Sequence, residues 1–596
     1  MAVQAPEPDS TGSSRCEEAL SKNPKSEIRN PKGHGFSQRF CVLLIVILGL
    51  ALRLTGLWWG QGYFYFGQGD GVAAYSVAVN YAQGEAKAQY LGQPNYNEHS
   101  KLPGPLWTLF CVAGLRLYGS ITGVILLTIL LNTIAIWLTY RLTEATLGHP
   151  ASFWAALFAA TTPSAVFYSV GVYNPEVMPF LGSCFCLALW KVVRKERSRH
   201  IFWVPLLLLM MPQFHMSGLA LWPTTALVLA LAAVRLNGPW LAAGFLAGLL
   251  LYVPYILGDS ATGWQNTLGM LKGGNGFTWD ALKTLTTPFN LLINWVPQWT
   301  RGAGEYRELG RACFGFFSLF LACNVLSVLV AIALFIAAIL YVHRAIRSAG
   351  ALADKSESVH DAGGLQTGPS FRPFRWWYRD TEVFRRCPGP LFLALMTICP
   401  LLFALISGKP FHARYALVLF PPLLALAGCG AAAWSSLFTS KASPADAEPP
   451  EDVTTKRAPR LHGFLPATIV ISTCVNIYFL PAFYWHQGTV IAQGNLFVPS
   501  FRNLEQVYQH IKGDVHNMPI EVDDGSYLQS FKRDDPRRDA SLIRRYVAVR
   551  EMESGARSAG TEVRVFKLVR ADQAQKDSKL TVYLGHEIAL IATRTD

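Results

Sequence analysis

Residues 40–59 read FCVLLIVILGLALRLTGLWW, and Arg53 is the only Asp, Glu, Lys or Arg among them. A helix that crosses a membrane needs roughly 20 consecutive apolar residues, which is the length of this run. The apolar core of a cleavable signal peptide is shorter, and a signal peptide does not follow a polar stretch as long as residues 1–39. The run therefore predicts a first membrane span with one buried cation in it.

The same pattern recurs along the chain of 596 residues, of which 51% are hydrophobic and 15% are charged. Soluble proteins carry roughly 25% charged residues, so this composition is typical of a membrane protein. Apolar segments of near-spanning length occur at about 40–57, 103–118, 121–140, 151–170, 175–193, 201–214, 217–234, 239–257, 313–342, 389–406, 416–437 and 463–484. They predict an all-α polytopic membrane protein with about 11–13 membrane helices.

Basic residues between these segments predict the topology, because short loops rich in Lys and Arg stay on the cytoplasmic side. They place 343–388 and 438–462 in the cytoplasm, together with a disordered N-terminal tail over 1–39. The loops at 58–102, 258–312 and 408–415 are then external. The number of crossings is consistent only if one segment does not cross, and we interpret 103–118 as interfacial or re-entrant.

The last 112 residues, 485–596, differ from the rest, because they contain an amphipathic stretch followed by short β-rich runs. The runs are Tyr546-Val-Ala-Val, Glu562-Val-Arg-Val-Phe and Leu580-Thr-Val-Tyr-Leu. They predict a small soluble α/β domain on the external side. The net charge of +13 arises largely from residues between apolar segments. It favours contact with anionic membrane lipids over binding of nucleic acid.

Asp70 is the single acid in GQGDGVAAYSVAVNYAQG, residues 67–84, at the start of a predicted helix. An aspartate there is either a helix cap or a general base, and the stretch alone favours the cap. The predicted topology adds further ionisable groups on the same side. These are Glu98, His99, Lys101, Glu176, His215, Lys409, His412, Arg414 and Tyr415.

Each of these groups has an ordinary structural explanation when it is taken alone. Lys101 can extend its amine to the membrane surface, Glu176 can stabilise a first helical turn, and His215 can end a helix. Together, a carboxylate opposite Lys, Arg and His predicts a site for an anionic ligand with general-base chemistry. The oxygen and nitrogen donors of Glu98, His99, His215 and Glu176 also leave a divalent metal open as a cofactor.

The order of these motifs resembles the GT-C class of integral-membrane glycosyltransferases, close to lipid A aminoarabinose transferases and protein O-mannosyltransferases. In the first external loop the matching residues are Asp70, Ala74, Ala78, Asn80 and Gly84. The loop closes on Lys101-Leu-Pro. The late hairpin GKPFHARY supplies the matching residues His412, Arg414 and Tyr415, and the apolar run after it ends at the matching Pro421. The chain departs from the family pattern at Gly71 and Ser100, where the family usually has acids.

The resemblance implies a polyprenyl-phosphate sugar donor and an inverting transfer to a hydroxyl of a lipid, glycan or protein acceptor. It implies Asp70 as the base, with Lys101, Lys409, His412, Arg414 and Tyr415 binding the donor. It also implies a bacterial inner-membrane protein with its site and its 485–596 domain in the periplasm. Two alternatives remain open from the sequence, a transporter or flippase of lipid-linked sugars and an enzyme like the O-antigen ligases or polymerases.

Overall fold

The computed structural model describes residues 35–58, 70–82, 92, 101–272, 282, 284, 286–293, 303–362, 383–407, 415–438, 464–492, 508–509, 520–523, 564–570, 581–583 and 588–592. The chain divides into two compact units at Leu44 and Ile45, within the first helix, Gly35–Trp58. Apart from four strands near the C-terminus, the regular structure in this part of the chain is helical.

Seven helices of the described residues are long and apolar enough to cross a membrane, which confirms a helical integral membrane protein. They are Gln38–Trp58, Ile121–Leu147, Asn174–Val193, Phe317–Ala349, Pro388–Ile406, Tyr415–Trp434 and Ala467–Tyr484. A pair of helices, Gly238–Leu250 and Val253–Ala261, bends by 47° and would make an eighth.

The prediction of 11–13 spans exceeds this count, because four apolar segments form short or broken helices. They are Leu106–Tyr118, His149–Thr161 with Pro163–Phe167, Trp203–Phe214, and Met216–Ala220 with Leu221–Leu231. A helix of 12 or 13 residues is about 20 Å long, less than the roughly 30 Å of a hydrocarbon core. The interpretation of 103–118 as a segment that does not cross agrees with its short helix, and its depth in the membrane stays a prediction.

Two of the spans consist of a short helix followed by a longer one, Asn174–Val177 with Met178–Val193 and Tyr415–Leu419 with Phe420–Phe438. The other short helices in the described residues are Asp70–Ala82, Ser198–Phe202, Gln265–Lys272, Thr287–Ile293 and Ala303–Phe314. The long helices are Phe317–Ala362, Phe420–Phe438 and Phe464–Ala492. Phe317–Ala362 continues past residue 342, where the apolar run ends, into an Ala-, Lys- and Glu-containing stretch that favours helix. The side of the membrane on which each loop lies stays a prediction.

The helix Phe420–Phe438 is central, and it packs against His149–Thr161 and Phe317–Ala362. Two glycines allow close backbone contact there. A Cβ on Gly428 would lie 2.4 Å from the Ala151 carbonyl oxygen, and one on Gly430 would lie 2.2 Å from that of Leu334. Small residues at such crossings are the usual means by which membrane helices approach one another.

Arg53, in the first span, is 2% exposed. Its guanidinium donates hydrogen bonds to backbone carbonyls at the break between His149–Thr161 and Pro163–Phe167. Pro163 has no N–H, so the carbonyl of Ala159, four residues earlier, lacks its helical donor. The Arg53 guanidinium donates to that carbonyl at 3.1 Å and to the Ala165 carbonyl at 3.3 Å. It also donates to Ser169 Oγ at 3.0 Å. The buried cation of the first span therefore supplies hydrogen-bond donors to the carbonyls at a helix break.

The described strands form a four-stranded sheet in the order β1-β2-β4-β3. They are β1 (Ile520–Asp523), β2 (Arg564–Arg570), β3 (Thr581–Tyr583) and β4 (Ile588–Ala592). β1 is parallel to β2, with Ile520 opposite Arg564, and the other two pairs are antiparallel. β2 and β3 overlap two of the predicted β-rich runs. The run at Tyr546 lies outside the described residues, and the complete α/β domain stays a prediction.

Candidate functional site

The helix predicted at Asp70 is present, and it extends over Asp70–Ala82. Its inner face consists of Ala74, Ala78 and Val79, which are at most 3% exposed. This helix packs against Leu106–Tyr118, the helix that follows Lys101. Small side chains at positions 74 and 78 allow the two helices to lie close together. The backbone of Asp70 is therefore at the end of a helix that is anchored to the Lys101 segment.

Lys101 is half-buried, and its backbone is fixed by a side chain 165 residues away. Its N–H donates to Asn266 Oδ1, and its carbonyl accepts from Asn266 Nδ2 at 3.1 Å. Among the described residues, no hydrogen bond engages its Nζ atom. The chain then turns at Gly104, whose φ is +139°, and a Cβ there would lie 2.2 Å from Gln213 Oε1. Only glycine suits this position, because of both its φ and its packing.

His215 and Tyr415 come from distant segments and lie together in the structure. Their rings stack with centroids 4.9 Å apart and an interplanar angle of 26°. The N–H of Ser217 donates to His215 Nδ1 at 3.2 Å, so Nδ1 is an acceptor and the proton of the neutral ring is on Nε2. The predicted donor-binding residue Tyr415 and the predicted metal ligand His215 therefore share one surface.

Glu176 is 4% exposed and lies in the short helix Asn174–Val177, which contacts Tyr415–Leu419. Asn174 Nδ2 donates to the Phe214 carbonyl at 2.8 Å, which ties this turn to the one that carries His215. A Cβ on Gly171 would lie 2.5 Å from Glu176 Oε1, so the carboxyl group lies directly on the backbone. Within the described part of the chain, Glu176 Oε2 and Gln213 Oε1 are buried without a hydrogen-bond partner.

The described residues contain no group of three or more His, Cys, Asp or Glu side chains placed to hold a metal ion. Two of the predicted ligands, Glu98 and His99, lie outside the described residues. Three predicted donor-binding residues, Lys409, His412 and Arg414, also lie outside them. The metal and these five residues therefore stay predictions.

Sequence reasoning missed Asp259 and Asn266 as parts of this region. Asn266 lies in GWQNTLG, where an Asn indicates a turn or a helix start but gives no sign of a distant partner. A buried amide that bonds backbone groups has no characteristic spacing, so the pattern of residues carries no signal for it.

No protein-family model matches the chain, and no curated protein matches it. It is similar to solved structures of ArnT from Cupriavidus metallidurans, one bound to undecaprenyl phosphate and one in the apo state. Both comparisons give a TM-score of 0.47 at 13% identity. The first covers 94% of this chain and 98% of that chain, and the second covers 92% and 97%.

The chain is also similar to the Archaeoglobus fulgidus oligosaccharyltransferase in the apo form, with a TM-score of 0.40 and 11% identity. This comparison covers 90% of this chain and 70% of that chain.

Proposed function

We propose that the chain is a membrane glycosyltransferase that moves a sugar from a polyprenyl phosphate to an acceptor hydroxyl. The observation that supports this most is the packing of the Asp70 helix against the helix that follows Lys101. A carboxylate at one helix end and an ammonium group beside the next helix are the two charges that the reaction requires. Asp70 is the base, and Lys101 binds the phosphate.

The reaction is a single displacement at the anomeric carbon. Asp70 takes the proton of the acceptor hydroxyl as its oxygen attacks that carbon. The bond from the anomeric carbon to the phosphate oxygen breaks, and polyprenyl phosphate leaves with the electron pair. Lys101 and Arg414 stabilise the negative charge that grows on the phosphate, with Lys409 as a further cation. Because one displacement occurs, the configuration of the sugar inverts.

Tyr415 and His412 complete the donor site in this proposal, since both are within two residues of Arg414 in the sequence. The position of Tyr415 against His215 supports a surface formed by the turns at residues 171–174 and 213–216 and by the short helix Tyr415–Leu419. A donor with a long lipid tail stays in the bilayer, so the site must open towards lipid. We place it on the periplasmic face of a bacterial inner membrane, with the N-terminus in the cytoplasm and the acceptor a lipid, glycan or protein.

The test is release of free polyprenyl phosphate from a labelled lipid-linked sugar by purified protein. The Asp70→Asn variant is expected to lose about 10²- to 10⁴-fold in rate, the usual contribution of one general base. Asn caps a helix as well as Asp does, so the thermal unfolding midpoint should stay unchanged. Glu144→Gln is the control, because Glu144 pairs with Arg141 at 2.8 Å away from this region.

Near-normal turnover by Asp70→Asn would show that Asp70 is a cap and not a base. Movement of the intact lipid-linked sugar across vesicles, with no release of polyprenyl phosphate, would favour a transporter or flippase instead. Sugar transfer that does not depend on Asp70 would favour an enzyme like the O-antigen ligases or polymerases.

No step of this mechanism passes through a metal. A divalent ion is expected only if Glu98 and His99 join His215 and Glu176 as ligands. Elemental analysis of protein purified without chelator tests this, together with the His99→Ala and His215→Ala variants. Stoichiometric metal that is lost in both variants would support the ion as a cofactor. Full activity in chelator with no bound metal would exclude it.

A further inference from the structure

The turn at residues 259–267 is built around one buried carboxylate. Asp259 is fully buried, and its Oδ1 accepts from the Asn266 N–H at 2.9 Å. Its Oδ2 accepts from the N–H of Thr267 at 3.0 Å and from Thr267 Oγ1 at 2.6 Å. The N–H groups of Asn266 and Thr267 lie in the first turn of the helix Gln265–Lys272, so the Asp259 carboxylate caps that helix. The cap fixes the backbone of Asn266.

The Asn266 side chain is then fully oriented. It is 6% exposed, and Nδ2 donates to the Lys101 carbonyl at 3.1 Å and to Tyr255 Oη at 3.2 Å. Its Oδ1 accepts from the Lys101 N–H. The opposite amide orientation would place Nδ2 against the Lys101 N–H, two donors facing each other, so the bonds themselves fix the orientation. One carboxamide thus bonds both backbone groups of Lys101.

The residues that follow Lys101 are fixed as well. The Leu102 carbonyl accepts from the N–H of Gly92 at 3.0 Å and from that of Gly104 at 2.8 Å. Gly104 lies against Gln213, whose Nε2 donates to the Leu251 carbonyl at 3.1 Å. The Lys101 backbone is therefore fixed on both sides, whereas no hydrogen bond from a described residue engages its Nζ atom. A lysine whose backbone is fixed and whose ammonium group is available is preorganised to bind an anion.

We propose that Asn266, held by the Asp259 cap, is a positioning residue that aims the Lys101 ammonium group at the donor phosphate. The role of Lys101 rests on the proposed function, whereas the contact of Asn266 with Lys101 does not. Loss of the Asn266 amide is expected to raise the KM for the lipid-linked donor about ten-fold, because two hydrogen bonds to Lys101 disappear. kcat should change by less than about three-fold, since Asp70 still acts on the acceptor, and Arg414 and Lys409 still stabilise the charge on the leaving phosphate.

A purely structural role for Asn266 would lower activity without this separation of KM from kcat. In an Asn266→Ala, Lys101→Ala double variant, the Asn266 change should add no further loss, because the side chain that it positions is absent. If the loss of activity in the double variant equals the product of the losses in the two single variants, the positioning role is contradicted.

The decisive measurement does not depend on activity. Hydrogen–deuterium exchange of the full-length protein in nanodiscs measures the exchange rate of the Lys101 amide hydrogen. Asn266→Ala should raise this rate at least about ten-fold. The control is Asn237→Ala, because Asn237 also caps a helix, by accepting from the Trp240 N–H at 3.3 Å. It should leave Lys101 exchange unchanged.

If Asn266→Ala does not fold, Asn266→Gln decides, since its amide is displaced by one methylene and should give the same acceleration. Unchanged exchange at Lys101 in the folded variant would overturn the proposal. Faster exchange with a donor KM that stays unchanged would also overturn it, because the contact would then position nothing. If Asn266→Ala speeds exchange at Lys101 but the wild-type protein transfers no sugar, the proposed function is contradicted and the contact of Asn266 with Lys101 stands.

Discussion

Arg53 and Lys101 are both cations at membrane-associated segments, and the structure uses them in opposite ways. The Arg53 side chain donates to the Ser169 hydroxyl and to the carbonyls of Gly49, Ala159 and Ala165. At Lys101 the backbone makes the bonds, to Asn266, and no described residue bonds Nζ. A buried cation whose donors meet carbonyls stabilises the fold. A cation with a fixed backbone and an available head group is suited to bind a ligand.

The largest expected effect is that of Arg53→Met, which fills the space but leaves the Ala159 carbonyl without a donor, because Pro163 cannot supply one. We expect a loss of about 3 kcal/mol in stability, measured by thermal unfolding in detergent. Arg116→Met is the control, because Arg116 is exposed; it should cost less than about 0.5 kcal/mol. Equal stability of the Arg53→Met and Arg116→Met variants would show that the Arg53 hydrogen bonds do not stabilise the fold.

The next effect is that of Lys101→Ala. We expect the rate of sugar transfer at low donor concentration to fall about 100-fold, equal to about 2.7 kcal/mol. Its unfolding midpoint should stay near wild type, since the bonds to Asn266 come from the backbone. A destabilised Lys101→Ala protein with normal donor affinity would make Lys101 resemble Arg53, and the comparison would fail.

Gly104→Ala tests the packing that fixes the Lys101 segment. The new Cβ would lie 2.2 Å from Gln213 Oε1 at a φ of +139°, so we expect about 2 kcal/mol of destabilisation and a higher donor KM. Gly119→Ala is the matched control, because Gly119 has a φ of +72° and nothing within 4 Å. It should cost about 1 kcal/mol and leave the KM unchanged.

The smallest effect is the coupling between Arg53 and Pro163. Pro163→Ala restores an N–H to the Ala159 carbonyl, so Arg53→Met should cost less in that background. We expect a coupling energy of about 1 kcal/mol in a double-mutant cycle of unfolding free energies. Strict additivity would show that Arg53 does not compensate for the proline.

Much of the fold could be predicted from the sequence, because hydropathy acts over one segment at a time. Each of the seven apolar helices overlaps a predicted segment, and the Asp70 helix begins at the predicted residue. The described residues contain seven or eight helices of spanning length where the sequence predicts 11–13, since composition does not reveal a helix break such as the one at Pro163. At the site, the structure brings His215, Glu176 and Tyr415 onto touching elements.

The sequence by itself determined that the chain belongs in a membrane, that Arg53 is buried in it, and that a single acid heads the Asp70 helix. Only the tertiary structure decided that Arg53 donates to the carbonyls at the helix break before Pro163, and that Asn266 bonds both backbone groups of Lys101. The physical reason is that burial follows from apolar surface, which each residue carries with it. A bond to a backbone N–H or carbonyl can be made at any residue, so its partner depends on the fold and not on the partner's identity.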